Sequence, residues 1–216
     1  MRRIRQARPE DSRFVAHAIR AANAGGNALG GSFYEIAFGL AAPELEAVLS
    51  EALCMDGAGS ALDIGSFLLV EDNGEPVATC AAWVEGEGGA PSSFVEATVL
   101  ARALGASRWT KGLAALKVLS QTHPERTKAS LQLESIYVVE QRRGHGMLTE
   151  LFREAERARG AVSTAEICLV ATNVRARRAY EKLGYAESRS SSPEPALVPL
   201  VGGDSFIVLA RSLRHG

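Results

Sequence analysis

SIYVVEQRRGHGMLTELF, residues 135–152, changes character at its middle. Its opening, through Val138 and Val139, is β-branched and aromatic and reads as the end of a strand that begins near Ser130. Its close reads as the start of a helix that runs to about Gly160. Between them stand two adjacent arginines and a Gly-His-Gly. A helix N-terminus leaves backbone N–H groups unpaired and carries a partial positive charge. Glycines at that point let a bulky anion approach the backbone. The junction therefore suits a phosphate, and the physics asks which kind.

Several phosphate loops are excluded by their own spacing. A dinucleotide fingerprint starting at Gly144 needs Gly or Ala where Thr149 stands. A P-loop needs GxxxxGK[ST], which the chain lacks. A metal at His145 has no partners, because the four histidines are far apart with no HxH or HxxxH pair. Gln141, Gly144 and Gly146 do satisfy the pattern Q/RxxGxG/A.

Composition limits the alternatives. With 216 residues, 46% of them hydrophobic and 23% charged, the chain suits one large domain and can bury a core without disulfides or metals. A net charge of −1 gives no global field for nucleic acid or an anionic membrane, so phosphate binding must be local. Cys54, Cys80 and Cys168 form no CxxC and read as small core residues in a reducing cytosol. The basic start MRRIRQARPEDS is not followed by an apolar segment, and no apolar run approaches the ~20 residues of a membrane span. A cytoplasmic protein is expected.

Along the chain, IRQARPED reads as a strand and a turn. A helix follows, with Asp11 as N-cap and Phe14, Val15, Ala18 and Ile19 at helical spacing. GGNALGG, residues 25–31, reads as a flexible break, and APELEAVLSEALC as a second helix with Pro43 in its first turn. Two β-prone runs flank EDNGEP, where Asn73-Gly74 predicts a hairpin. Residues Phe94 to Ser120 turn helical, in two pieces broken near Gly105 and Trp109. AEICLVATN is a strand, NVRARRAYEKLGY a helix ended by Gly184, and SFIVLARSL the last strand. SRSSSPEPALVPLVGG, residues 188–203, reads as a long loop. The expected fold is α/β (α+β): a mixed, mostly antiparallel central sheet with a parallel β-α-β core and helices on both faces.

Two motifs together suggest a family. SIYVVEQRRGHGMLTELF resembles the acetyl-CoA-binding motif of the GNAT acetyltransferase superfamily, a strand ending in V-x-P-x-x-R-G-x-G. Val138, Arg143, Gly144 and Gly146 match, and Glu140 stands where proline is usual. One helix and one strand downstream, Asn173, Ala176, Tyr180, Gly184 and Tyr185 resemble the next motif, N-x-x-A-x-x-x-Y-x-x-x-G-F/Y. The opening strand and the hairpin fall where the family places them. The resemblance covers nearly the whole chain, 1–216, as a single domain with a helical insertion at about 86–129.

The resemblance implies an N-acyltransferase using acetyl-CoA as donor, with direct attack by a primary amine of a small molecule or protein. It also implies a homodimer, as in many relatives. The strands on either side of the Gly-His-Gly helix would splay. Backbone groups at Ile136 and Val138 would hold the pantetheine, and the loop from Gln141 through Arg142, Arg143, Gly144, His145, Gly146 and Met147 would hold the pyrophosphate. Asn173 would bond the pantetheine or simply cap its helix. Tyr180 is the expected donor to the departing sulfur, against a plain packed tyrosine. Glu134 is the expected base, against a solvated or ion-paired strand residue. Arg175 to Arg178 spread over several helix faces and read as a solvated surface. Trp83 and Trp109 either line a pocket or fill the core. The alternative function is a non-catalytic acyl-CoA-binding module of the same fold. A third reading, a nucleotide-binding protein of another fold, predicts affinity for ATP or NAD.

Overall fold

Asn73 and Gly74 both take positive φ, 55° and 88°, as a two-residue hairpin turn with the twist of its strands requires. They join β2 (Phe67–Asp72) to β3 (Glu75–Val84). The computed structural model describes residues 2–25, 31–160, 162–193, 195 and 198–213. Most of the GGNALGG break lies outside these described residues. The other strands are β1 (Arg2–Gln6), β4 (Leu131–Val138), β5 (Thr164–Val170), β6 (Ala186–Ser191) and β7 (Phe206–Ser212). Among the described residues they form one seven-stranded sheet in the order β1-β2-β3-β4-β5-β7-β6. Only β4 and β5 pair in parallel; every other pair is antiparallel. This is the mixed, mostly antiparallel sheet that the residue pattern predicts.

Side-chain alternation sorts the core into two layers. Phe67, Leu69, Ala81 and Trp83 face α1 (Ser12–Ala24), α3 (Ala42–Ala52) and the first half of α4 (Ser92–Thr122). Val70, Ala78, Cys80 and Ala82 face α5 (Met147–Ala158), which buries Met147, Leu151, Phe152 and Ala155 against them. Tyr180 of α6 (Val174–Glu181) joins the same layer. A smaller cluster joins Phe33 of α2 (Phe33–Phe38), Val201 of α7 (Val198–Val201) and Phe206 of β7.

Five local details differ from the sequence reading. Residues 188–191 are not loop: they belong to β6, and α7 follows. β6 is a polar, largely exposed edge strand, so it shows no apolar alternation. α2 is an additional helix, fixed by a capping box in which Glu35 N–H donates to Ser32 Oγ and Ser32 N–H donates to Glu35 Oε2. Asp11 stands at the N-cap of α1, but its carboxylate accepts from Arg8 N–H and from both terminal nitrogens of Arg5 instead. α4 is bent only at Gly105, whose φ of 71° and ψ of 163° interrupt the helix; Trp109 continues it and stacks on Phe38. Of the three cysteines, Cys80 is buried, Cys168 is half-buried and Cys54 is exposed, so Cys54 is not a core thiol. Among the described residues no helix is long and apolar enough to cross a membrane.

Candidate active site

β4 and β5 pair at only two positions, Leu131 with Ala165 and Gln132 with Glu166. Beyond them the strands part. The cause lies in β4: Tyr137 opposes Thr79 while Glu134 opposes Ala81, so Ser135 and Ile136 share the single partner Cys80. This is a β-bulge, with Ser135 at φ 50°, and a bulge bends its strand. Past the bulge, Val139 N–H bonds the Val77 carbonyl on the β3 side. Backbone polar groups alternate sides along a strand, so those of Ile136 and Val138 face the gap. The open jaw continues into a cleft of about 1870 Å³.

The closed end of the jaw is clamped by Glu166, which is 3% exposed. Its carboxylate accepts hydrogen bonds from Arg189, Thr127 and Gln132. Burial opposes its ionisation, but these donors outweigh burial and pull its pKa down to about 2. A depressed folded pKa stabilises above the unfolded value, roughly 4.3, and that stability is lost as pH falls through the folded value. Glu166→Gln should therefore unfold with a weaker pH dependence between pH ~4 and ~2 than the parent protein. Acid titration followed by circular dichroism checks this; identical profiles would remove Glu166 as the clamp.

At the jaw's mouth, Gly144 and Gly146 take φ of 83° and 78°. Gly146 is the N-cap of α5. Among the described residues, the backbone N–H groups of residues 144 to 149 have no acceptor; the first N–H to find one is that of Glu150, on the Gly146 carbonyl. Six consecutive free amides at a helix N-terminus form an anion cradle. A Cβ at Gly144 or Gly146 would meet nothing within 4 Å, so the space in front of the amides is open. Arg142 and Arg143 border the cleft, as does Met147. Arg142 is paired with Asp72 at 3.2 Å. Arg143 Nε–H donates to the Val138 carbonyl at 3.1 Å. Gln141 and His145 do not border the cleft; the His145 ring turns back, with Nδ1 2.9 Å from the Arg143 carbonyl.

On the other jaw, Tyr180 borders the cleft and stacks on Phe152 with centroids 5.9 Å apart. Burial raises its hydroxyl pKa above the ordinary value near 10, and the Cys80 sulfur adds to that. The group stays an O–H donor at neutral pH. Among the described residues that hydroxyl has no hydrogen-bond partner. Asn173 caps α6, accepting from Ala176 N–H at 3.2 Å, and also borders the cleft.

The bulge has a second effect. It breaks alternation, so Glu134 and Tyr137 lie on the same face although three residues apart. Tyr137 meets Phe14 and His17 of α1. Glu134 Oε1 is held by Arg126 through Nε at 2.9 Å and a terminal nitrogen at 2.8 Å. Arg126 also pairs with Glu96 at 3.1 Å, donates to Ser92 Oγ at 2.7 Å and lies 5.0 Å over the Trp83 ring. Ser92 in turn donates its N–H and hydroxyl to Glu85. Trp83 is thus core, 1% exposed, while Trp109 borders the cleft. Residue patterns do not reveal Arg126, Glu96, Glu85 or Ser92 as part of the site; they come together only through the fold. Among the described residues, no group of metal-ligating side chains is present.

A forked sheet with a free-amide cradle at its mouth is an open cleft with an anion-binding edge. The model of the acetyltransferase (GNAT) family matches residues 41–185, about two thirds of the sequence, and the chain belongs to that family. It is an acetyltransferase by that membership. Among solved structures, one described as an acetyltransferase shares 16% identity at a TM-score of 0.65, covering 98% of this chain and 100% of the other. An N-acetyltransferase from Staphylococcus aureus Mu50 shares 16% at 0.59, covering 97% and 100%. An agmatine N-acetyltransferase variant in its apo form shares 14% at 0.53, covering 98% and 99%. These likenesses concern the fold. Comparison with curated proteins finds no match.

Proposed function

We propose that the chain transfers an acetyl group from acetyl-CoA to a primary amine by direct attack on the thioester. The observation that carries this reading is the row of six free amides at the mouth of a jaw whose inner edge, at Ile136 and Val138, has no partner strand, the Val138 carbonyl being met only by Arg143. A pyrophosphate fits the amides, and the pantetheine arm, with its own amides, fits the open strand edge as an added strand. A backbone N–H near Val138 then polarises the thioester carbonyl. Arg142 and Arg143 border the phosphates. Gln141 and His145, which lie outside the cleft, shape the loop. Asn173 caps α6 and meets the pantetheine.

Tyr180 supplies the hydrogen bond to the departing sulfur. Its raised pKa makes it a donor of a hydrogen bond more than of a proton. Tyr180→Phe should lower kcat by roughly 10- to 100-fold and leave coenzyme A affinity unchanged. Equal kcat would remove the role. On the acceptor side, Glu134 Oε2 has no partner among the described residues and is the carboxylate that meets the incoming ammonium. An alkylammonium with a pKa near 10.4 costs about 4–5 kcal/mol to neutralise at pH 7, so the proton needs a destination.

The test is thiol release from acetyl-CoA with a panel of amines, beside calorimetric binding of coenzyme A. Turnover with any amine supports the reading. Binding without turnover leaves a non-catalytic acyl-CoA-binding module. Cytoplasmic residence and a homodimer belong to the same proposal, and light scattering on the purified chain tests the dimer.

A further inference from the structure

His123 caps the C-terminal end of α4, within electrostatic reach of Glu134. Its backbone N–H bonds the Leu119 carbonyl at 2.7 Å, and its half-buried ring tilts against Phe206 with centroids 5.1 Å apart. The ring borders the cleft. Nδ1 lies 3.0 Å from the Pro124 carbonyl. A carbonyl oxygen only accepts, so Nδ1 carries the hydrogen, and the neutral ring keeps its lone pair on Nε2. Among the described residues Nε2 has no hydrogen-bond partner. The orientation is that of a general base: one nitrogen fixed by the backbone, the other free beside a cleft.

We propose that His123 Nε2 takes the proton from the acceptor ammonium, while Glu134 holds the cation in place. This rests on the amine-acetylation reading. The ammonium gives one N–H proton to Nε2. The freed lone pair forms the C–N bond to the thioester carbonyl carbon, the C–S bond breaks, and sulfur leaves as thiolate with a hydrogen bond from Tyr180. The nitrogen loses its second proton as the amide forms; that proton ends on sulfur, and His123 returns the first to solvent through the open cleft.

The charged surroundings keep the ring neutral. Burial lowers its pKa most. Glu134 on β4 and the hydrogen bond to the Pro124 carbonyl pull it up, while Arg126 on the loop after α4 and Arg189 on β6 pull it down. Cys168 on β5 is a neutral thiol, pushed up to about 12 by burial. The net direction is down, so the base stays available at neutral pH and is lost only as pH falls below the ordinary histidine value, about 6.5.

The experiment compares His123→Gln, Glu134→Gln and the parent chain with two acceptors: an alkylamine, protonated at neutral pH, and a hydrazide, already neutral there. His123→Gln should lose about 100-fold in kcat/KM with the alkylamine, far less with the hydrazide. It should also lose the acid limb of the pH profile and keep coenzyme A affinity. An equal loss with both acceptors, a retained acid limb, or this signature in Glu134→Gln instead would overturn the assignment. Nitrogen-detected NMR of the parent chain is independent of the variant's folding: Nδ1–H with a lone pair on Nε2 supports the proposal, and the opposite tautomer overturns it. Binding of coenzyme A with no turnover of any acceptor by the parent chain would overturn the acetylation reading and this proposal together.

Discussion

Gly144→Glu is expected to abolish coenzyme A binding. Gly144 holds a φ of 83°, where an L-residue pays roughly 1–2 kcal/mol. A Cβ there meets nothing within 4 Å, so the new side chain clashes with no protein atom and the fold persists. It instead projects into the space in front of the free amides. Its charge takes the place of, and repels, the phosphates that those amides and the N-terminus of α5 would hold. The expected loss is about 100-fold or more, near 3 kcal/mol. Gly144→Ala brings the strain without the charge and should cost much less. Calorimetry with coenzyme A reads both, and circular dichroism confirms the fold. Unchanged affinity in Gly144→Glu would refute the pyrophosphate cradle.

Residues whose conformation is decided by their immediate neighbours were legible in the sequence. Asn73-Gly74 predicts its turn because few other pairs tolerate two positive φ values in succession. Gly144 and Gly146 predict a helix entrance open to an anion for the same kind of reason. The bulge at Ser135 was not legible, since neither glycine nor proline marks it; there two residues of β4 stand opposite one of β3. Strict alternation would put Glu134 and Tyr137 on opposite faces, and the bulge puts them on one. Gln141 is a motif position and His145 lies between its glycines, yet both stand outside the cleft, because a tight strand-to-helix junction sends neighbouring side chains to different sides. His123 and Arg126 fall in QTHPERTKA, which has no periodicity. Their partners at positions 83, 92, 96, 134 and 206 are separated widely in the chain, so only tertiary packing brings them together. β6 was hidden by its polarity: it bonds β7 and is otherwise held by contacts such as Arg189 with Glu166.

Arg126→Met should destabilise the chain by about 3–5 kcal/mol at neutral pH. The Arg126 side chain is 13% exposed and paired with Glu96 and Glu134. Methionine preserves much of the stem that covers Trp83 but removes the charge over the ring. Two carboxylates then remain beside a cleft wall without their cation. Glu85 is less affected, because Ser92 and Trp83 donate to it. Burial already raises the Glu96 pKa, with Arg126 pulling the other way. Without Arg126 it must rise further. A folded pKa above the unfolded one favours folding below the unfolded value and loses that contribution as pH rises through the folded value. The deficit of Arg126→Met should therefore shrink as pH falls from 7 towards ~4. The acid loss caused by Glu166 is common to both proteins and cancels in the difference. Adding Glu96→Gln and Glu134→Gln to Arg126→Met should recover most of the stability, since it removes the unpaired charges. Urea unfolding at pH 7 and pH 5 reads all three proteins. A deficit that stays constant with pH would mean that Arg126 acts through packing on Trp83, and the charge network would lose its claim to hold this wall of the cleft.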